Sequence, residues 1–410
     1  MIRALDDVVS RTPATRDRYM DFLRAFSIAA VVVGHWTIGM IWWENGLIYL
    51  TSAIGVTPWL WLATWVLQVM PIFFFVGGFA NLVAYDAFHR RGESTWAFVR
   101  SRIQRLLRPS LVFLAVWLAI QVALHLADVG RPSGPTIWGE TRLLRGMNPP
   151  AATLPFGPLW FLGVYLVVVA ISPITIGLHR RFRWWVPALL VVGTIVVDVI
   201  GFGQDIHRVR YLNIPLVLLL PHQLGHFYVD GTLDRIPRKA LWAVAIGGIA
   251  GLLLMTNPWL FEWVGGDDRF RWFPSIGHYP KSILGTDVEP ISNAYPPTVC
   301  FMLTGLWTMA TVMLLRGRLT QWLQRPGPWK ASILGNRVIM TLFLWHMTAY
   351  LLAIFVLWPL GFGREHASTA RWWLERPLWL LVPGIILAGV VWLVGQYERT
   401  EPRPEAASRT

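Results

Sequence analysis

Apolar residues in this chain gather into long blocks set apart by short polar connections, and the blocks fall at roughly 22–43, 59–85, 109–127, 156–177, 185–202, 210–228, 240–263, 294–315, 333–358 and 377–396. Most approach the ~20 residues that a helix needs to cross a hydrocarbon layer of about 30 Å. No run of short alternating segments, the mark of a membrane β-barrel, is present. The pattern predicts an all-α, polytopic transmembrane helical bundle of about ten helices. Its expected parts are an N-terminal tail over 1–20, a membrane domain over 21–396 and a C-terminal tail over 397–410.

Composition agrees with lipid as the solvent: 55% of residues are hydrophobic, 14% are charged, and the mean hydropathy is +0.48. A net charge of +13 would ordinarily raise the question of nucleic acid. Here the basic residues sit in short clusters between apolar blocks, where topology accounts for them, and no nucleic-acid recognition fold is visible. With the N-terminus inside, the inner connections hold about twice as many Lys and Arg as the outer ones. An even number of crossings then puts both termini in the cytoplasm. The first 20 residues are polar, with Arg3, Arg11, Arg16 and Arg18 ahead of the first apolar block. The first helix itself is therefore the expected insertion signal, and the expected location is the bacterial inner (plasma) membrane, in many passes. Cys300 is the single cysteine, which excludes an intramolecular disulfide and argues against a cysteine-built metal site.

Two outer connections are long and rich in Pro and Gly, about 128–155 and about 264–293. Tryptophans near block ends, such as Trp42, Trp59, Trp184 and Trp372, read as interfacial anchors.

Ionisable groups at membrane depth are costly, so each invites a functional reading. The first block opens Arg18-Tyr-Met-Asp21-Phe-Leu-Arg24 and runs apolar to Gly34-His35-Trp36. Eleven residues separate Arg24 from His35, which on a helix puts them within about 20° of one face and ~16 Å apart along the axis. A histidine there suits proton transfer near neutral pH. Asp21, one turn before Arg24, is placed to pair with it. Arg102, Arg105 and Arg108 recur every third residue in the connection before Pro109, so a helical turn lines them up. Such a row serves equally for phosphate groups, for anionic lipid heads or simply for topology. His222 and His226 stand at i, i+4 beside Pro221 without the glutamate of a zinc-protease motif, and no metal is expected. His346 is a further buried candidate. Pro71, Gly77 and Gly78 in the second block allow a kink and close helix approach. Asp198 and Glu262 are candidate partners for Arg24, Arg337 or a histidine.

Taken in order, these residues resemble the acyltransferase-3 family of bacterial integral membrane acyltransferases. Met20-Asp21-Phe22-Leu23-Arg24 followed by His35 is similar to its Leu-Asp-x-Leu-Arg…His signature, with Met20 for the usual Leu. Phe73–Phe79 resembles an FFxxSGF segment in which Gly77 stands where serine is common. Arg102-Ile-Gln-Arg105 matches an Arg-x-x-Arg element, Leu159-Trp160-Phe161-Leu162 an LWYL element, and Trp345-His346 a late histidine in the penultimate helix. The resemblance implies transfer of an acyl group, expected to be acetyl, from cytoplasmic acyl-CoA to a hydroxyl of an extracytoplasmic glycan or glycolipid of the cell envelope. It implies His35, Arg24 and Asp21 as catalytic residues and Arg102, Arg105 and Arg108 as the acyl-CoA site. Trp160, His346, His222 and His226 are candidates for substrate contact or support, and Trp138, Trp272 and Tyr279 offer aromatic faces to a sugar. Some relatives add a C-terminal SGNH-type hydrolase-like domain. Only a short polar tail follows Gln396 here, so transfer is expected to finish on this domain or on a separate extracytoplasmic transferase or export partner. Besides the glycan or glycolipid acceptor, membrane lipids are the expected partners. The competing function class is a transporter or flippase for a lipid-linked sugar, which the helices and loops suit equally well.

Overall fold

The computed structural model describes residues 16–44, 47–57, 59–126, 154–204, 206–263, 276–286, 291–365 and 369–395. The C-terminal tail, most of the N-terminal tail, most of the 128–155 connection and the first part of the 264–293 connection, with Trp138 and Trp272, lie outside them.

Helices dominate: α1 (Arg18–Ile38), α2 (Trp61–Val66), α3 (Met70–Arg90), α4 (Thr95–Leu126), α5 (Leu159–Phe182), α6 (Trp185–Gly203), α7 (Asn213–Val229), α8 (Arg238–Thr256), α9 (Pro258–Trp263), α10 (Val299–Trp322), α11 (Pro326–Arg337), α12 (Ile339–Leu357) and α13 (Ala370–Val394). Nine helical spans among the described residues, α2 and α3 taken as one, are long and apolar enough to cross a membrane. The 17-residue α7 falls just short of that length and fills the remaining expected block. The protein is thus an all-α polytopic bundle.

Three local departures from the expected pattern have physical causes. The first block stops at Ile38 and continues as an antiparallel hairpin, β1 (Gly39–Glu44) with β2 (Leu47–Ser52), in register from Gly39↔Ser52 to Glu44↔Leu47. Its Ile-Trp-Trp and Leu-Ile-Tyr runs favour extended backbone, and the intervening Asn45-Gly46 is the residue pair that two-residue hairpins prefer. The second block breaks between α2 and α3, just ahead of Pro71, which occupies the first turn of α3, where its missing N–H costs nothing. The third block lies in α4, which begins earlier, at Thr95, with Pro109 inside it. Arg102, Arg105 and Arg108 therefore lie on a helix rather than in a connection.

Two features fix the centre. A Cβ on Gly78 would collide with the backbone of His222, and one on Gly225 with the backbone of Phe75 and Phe79. Glycine at both positions lets α3 and α7 pack backbone to backbone. α12 is apolar on nearly every side and is enclosed over most of its length, from Thr341 to Leu357. Polar ties gather at the end of the bundle that holds the start of α1. There Arg180 pairs with Asp86, Arg316 with Asp234 and Arg183 with Asp230, and the Tyr228 hydroxyl donates to Asp17 at 2.8 Å. The opposite end is tied by Asp198, whose carboxylate accepts from Asn213 (2.7 Å), Tyr279 (3.0 Å) and the Val299 N–H (2.8 Å). Asp198 is thus a fastener of α6, α7 and α10, not the expected partner of Arg24, Arg337 or a histidine.

Candidate functional site

Because α1 is continuous from Arg18 to Ile38, Arg24 and His35 share a face, and each meets a different cluster. His35 Nδ1 lies 2.9 Å from His346 Nε2 on α12, with the two rings only 9° from parallel. His346 Nδ1 is 2.7 Å from the Phe343 carbonyl oxygen. A carbonyl only accepts, so a neutral His346 carries its proton on Nδ1 and presents Nε2 as a lone pair. His35 Nδ1–H must then donate to it, and His35 Nε2 is left as the basic nitrogen. The backbone around this pair is held as well. The Trp36 indole donates to the His346 carbonyl at 3.0 Å. Past the end of α1, the Gly39 carbonyl accepts from Arg376 at 3.1 Å and from the Tyr350 hydroxyl at 3.3 Å.

Arg24 sits with Arg102, Arg105, Tyr165 and Asp21 as electrostatic neighbours. Arg102 donates through Nε (3.3 Å) and Nη2 (3.1 Å) to Asn81 Oδ1. Tyr165 reaches this position because position 77 has no side chain: a Cβ there would stand 2.9 Å from its ring and 3.0 Å from its oxygen. The Asp21 carboxylate, whose charge acts on Arg24, is also held by Arg16, and the Asp21 carbonyl accepts from Asn336 at 2.7 Å. Arg105 and Arg108 are exposed on α4. Three arginines around one tyrosine, with the nearby Asp21 carboxylate engaged by a fourth arginine, make a cluster suited to an anion such as a phosphate.

An aromatic wall joins the two clusters. Phe161 stacks on Tyr165 with ring centres 6.1 Å apart, meets Phe343 at 5.8 Å, and Phe343 meets His346 at 6.4 Å. Trp160, beside Phe161, lines a small apolar cleft with Met70, Leu218, Tyr295 and Phe301. His222 and His226 are wholly buried behind Arg102, and neither meets the His35–His346 pair in a recorded bond. His222 Nε2 is 3.2 Å from Asn81 Nδ2, and His226 Nδ1 is 3.1 Å from Gln223 Oε1. Gln223 Nε2 reaches His179 Nδ1 at 2.7 Å, and His179 Nε2 reaches Asp230 at 3.3 Å. Burial alone would raise the Asp230 carboxyl, but hydrogen bonds from Thr232, the His179 ring beside it and the Arg183 guanidinium hold it below the ordinary carboxylate value. Among the described residues no three His, Cys, Asp or Glu side chains converge in a way that could hold a metal ion.

The acyltransferase-3 family model, an acyltransferase domain, matches residues 17–395, nearly the whole chain. The chain belongs to the acyltransferase-3 family. No curated protein and no solved structure matches it. Family membership and the helical bundle together make it a multi-pass membrane acyltransferase. Within this acyltransferase the clusters also contain residues that the sequence reading did not single out: Asn81, Tyr165, His179 and Gln223. Asn81 is a lone amide in an apolar helix, and an intramembrane polar residue is a signal in its own right. His179 adjoins Arg180 and Arg181 and reads as part of a basic helix end. Nothing local marks Tyr165.

Proposed function

We propose that this acyltransferase moves an acyl group, acetyl in the simplest case, from cytoplasmic acyl-CoA to a hydroxyl of an extracytoplasmic glycan or glycolipid in the cell envelope. The observation that carries the reading is the His35–His346 pair, whose bonding leaves His35 Nε2 unprotonated on the helix face that also bears Arg24. The Arg24, Arg102 and Arg105 cluster binds the phosphates of CoA from the inner side, with Arg108 at its approach. The ~16 Å from Arg24 to His35 along α1 is comparable with an extended pantetheine arm, so phosphates at one cluster bring the thioester to the other. His35 Nε2 takes the proton of the acceptor hydroxyl as its oxygen bonds to the thioester carbon. The C–S bond then breaks, and the departing CoA sulfur receives that proton from His35. His346 Nε2, accepting from His35 Nδ1–H, fixes the ring and favours the transient imidazolium, much as a buried acceptor does in hydrolytic triads.

The test is acetyl-CoA consumption by the purified protein in lipid, wild type against His35→Ala, with envelope extract as acceptor. Consumption that requires His35, with label appearing in a glycan or glycolipid, is the expected result. No consumption of several acyl-CoAs by folded protein would overturn the reading, and movement of a lipid-linked sugar without CoA turnover would replace it with transport.

A further inference from the structure

Behind Arg102 runs a line of buried polar side chains that this chemistry leaves unused: Asn81, His222, His226, Gln223 and His179, ending at Asp230. All five buried members are at most 3% exposed, so each needs an internal partner. Both ends of the line have fixed polarity. A guanidinium only donates, so Asn81 Oδ1 must face Arg102, and the Asn81 amide N–H must donate to His222 Nε2. A neutral His222 therefore carries its proton on Nδ1. At the far end a carboxylate only accepts, so His179 Nε2–H donates to Asp230 and His179 Nδ1 accepts from the Gln223 amide N–H. Gln223 Oε1 is then left to accept from His226 Nδ1–H, which makes His226 Nε2 a bare acceptor.

Two atoms of the line stand without a hydrogen-bond partner, His222 Nδ1 and His226 Nε2, on rings 4.8 Å apart. The polarity set by the two ends makes the first a donor and the second an acceptor. We infer that Asn81, His222, His226, Gln223 and His179 form one directional hydrogen-bonded chain, closed by a buried water between His222 and His226, that anchors Arg102 to Asp230 and holds its guanidinium ready for the acyl donor. A water that accepts from His222 Nδ1–H and donates to His226 Nε2 would give each of these buried atoms the partner it needs. The chain orients and does not conduct, because the amide nitrogens of Asn81 and Gln223 have no basic lone pair through which a proton can hop. These are positioning residues, and the inference rests on the reading of Arg102 as a donor-binding group.

The first measurement is independent of that reading. Histidine ¹⁵N spectra of the labelled protein in lipid, assigned by loss of the His222 signal in His222→Gln, should show His222 protonated on Nδ1. A wild-type His222 protonated on Nε2 would overturn the chain. The second measurement is kinetic. His222→Leu should raise the KM for acetyl-CoA about tenfold, the loss expected when one charge-assisted bond is misaligned, while changing kcat little. His222→Gln should restore KM, since its amide oxygen can accept from Asn81, and Asn81→Leu should repeat the His222→Leu defect if that variant folds poorly. In an Arg102→Ala background His222→Leu should add nothing. A full additional loss there would overturn the inference. If Arg102→Ala alone left KM unchanged, the donor-site reading would fall, and the tautomer result would still decide whether the chain exists.

Discussion

At the scale of single residues the chemistry is set by which atoms are left free. Arg24 and His35 were legible in the sequence because an arginine and a histidine in an apolar helix are costly, and their spacing aligns them. The role of His346 was not, since only the fold brings α12 within 2.9 Å of His35. That contact makes a prediction about kcat. His346→Ala removes the acceptor that keeps His35 Nε2 unprotonated and in place, so kcat should fall roughly 10²-fold, within the usual worth of a positioned base, with little change in the KM for acetyl-CoA. His346→Gln, whose amide oxygen can accept from His35 Nδ1–H, should recover part of the rate. Stopped-assay kinetics on reconstituted protein read both, and an unchanged kcat in His346→Ala would detach His346 from the reaction. Tyr165 was invisible to sequence reasoning for a related reason. It enters the arginine cluster only because Gly77, on another helix, leaves room for its ring.

Between helices, packing rests on where side chains are missing. The pair Gly77-Gly78 was legible as a site of close approach, but its partner helix was not, and Gly225 carried no signal beyond its small size. Gly78→Ala drives a methyl into the backbone of His222, and Gly225→Ala drives one into that of Phe75. Rigid backbone cannot yield as a flexible side chain does, so each should lower stability by at least the ~1–3 kcal/mol typical of overpacking. Both should also cut activity, since α3 carries Asn81 and α7 carries His222. Gly247→Ala and Gly317→Ala, where an added methyl meets open space, should leave the melting temperature in detergent unchanged. Equal melting of all four variants would mean that α3 and α7 do not pack this tightly. Secondary structure at the ends of the apolar blocks was the least legible part of the fold. Hydropathy averages over a window, so it ran past Gly39 into a hairpin whose residues are as apolar as the helix before it. For the converse reason it started α4 late, because the arginines of its first turns are polar yet helical.

For the whole molecule hydropathy anticipated the helical blocks, nine spans long and apolar enough to cross a membrane among the described residues with the shorter α7 beside them, and the structure adds how the two ends relate. A Cβ on Gly395, just past α13, would lie 3.4 Å from Val338, and neighbouring Asn336 donates to the Asp21 carbonyl near the start of α1. The described chain therefore begins and finishes at the same end of the bundle. The arginine cluster around Arg24 lies toward that end, while His35 lies deeper along α1. Which side of the membrane this end faces decides whether cytosolic acyl-CoA can reach the cluster, and the excess of Lys and Arg in the connections there argues for the cytoplasm. Cys300, the single cysteine, is fully buried, so a Cys300→Ala protein gives a background without thiols. A cysteine placed at Ser10 or at Ser408 should then react with a membrane-impermeant maleimide only after cells are opened. One placed at Ser133, in the long connection between α4 and α5, should react in intact cells. The reverse labelling would put Arg24 and Arg102 toward the outer face, beyond the reach of cytosolic CoA, and the donor would then have to come from the envelope side.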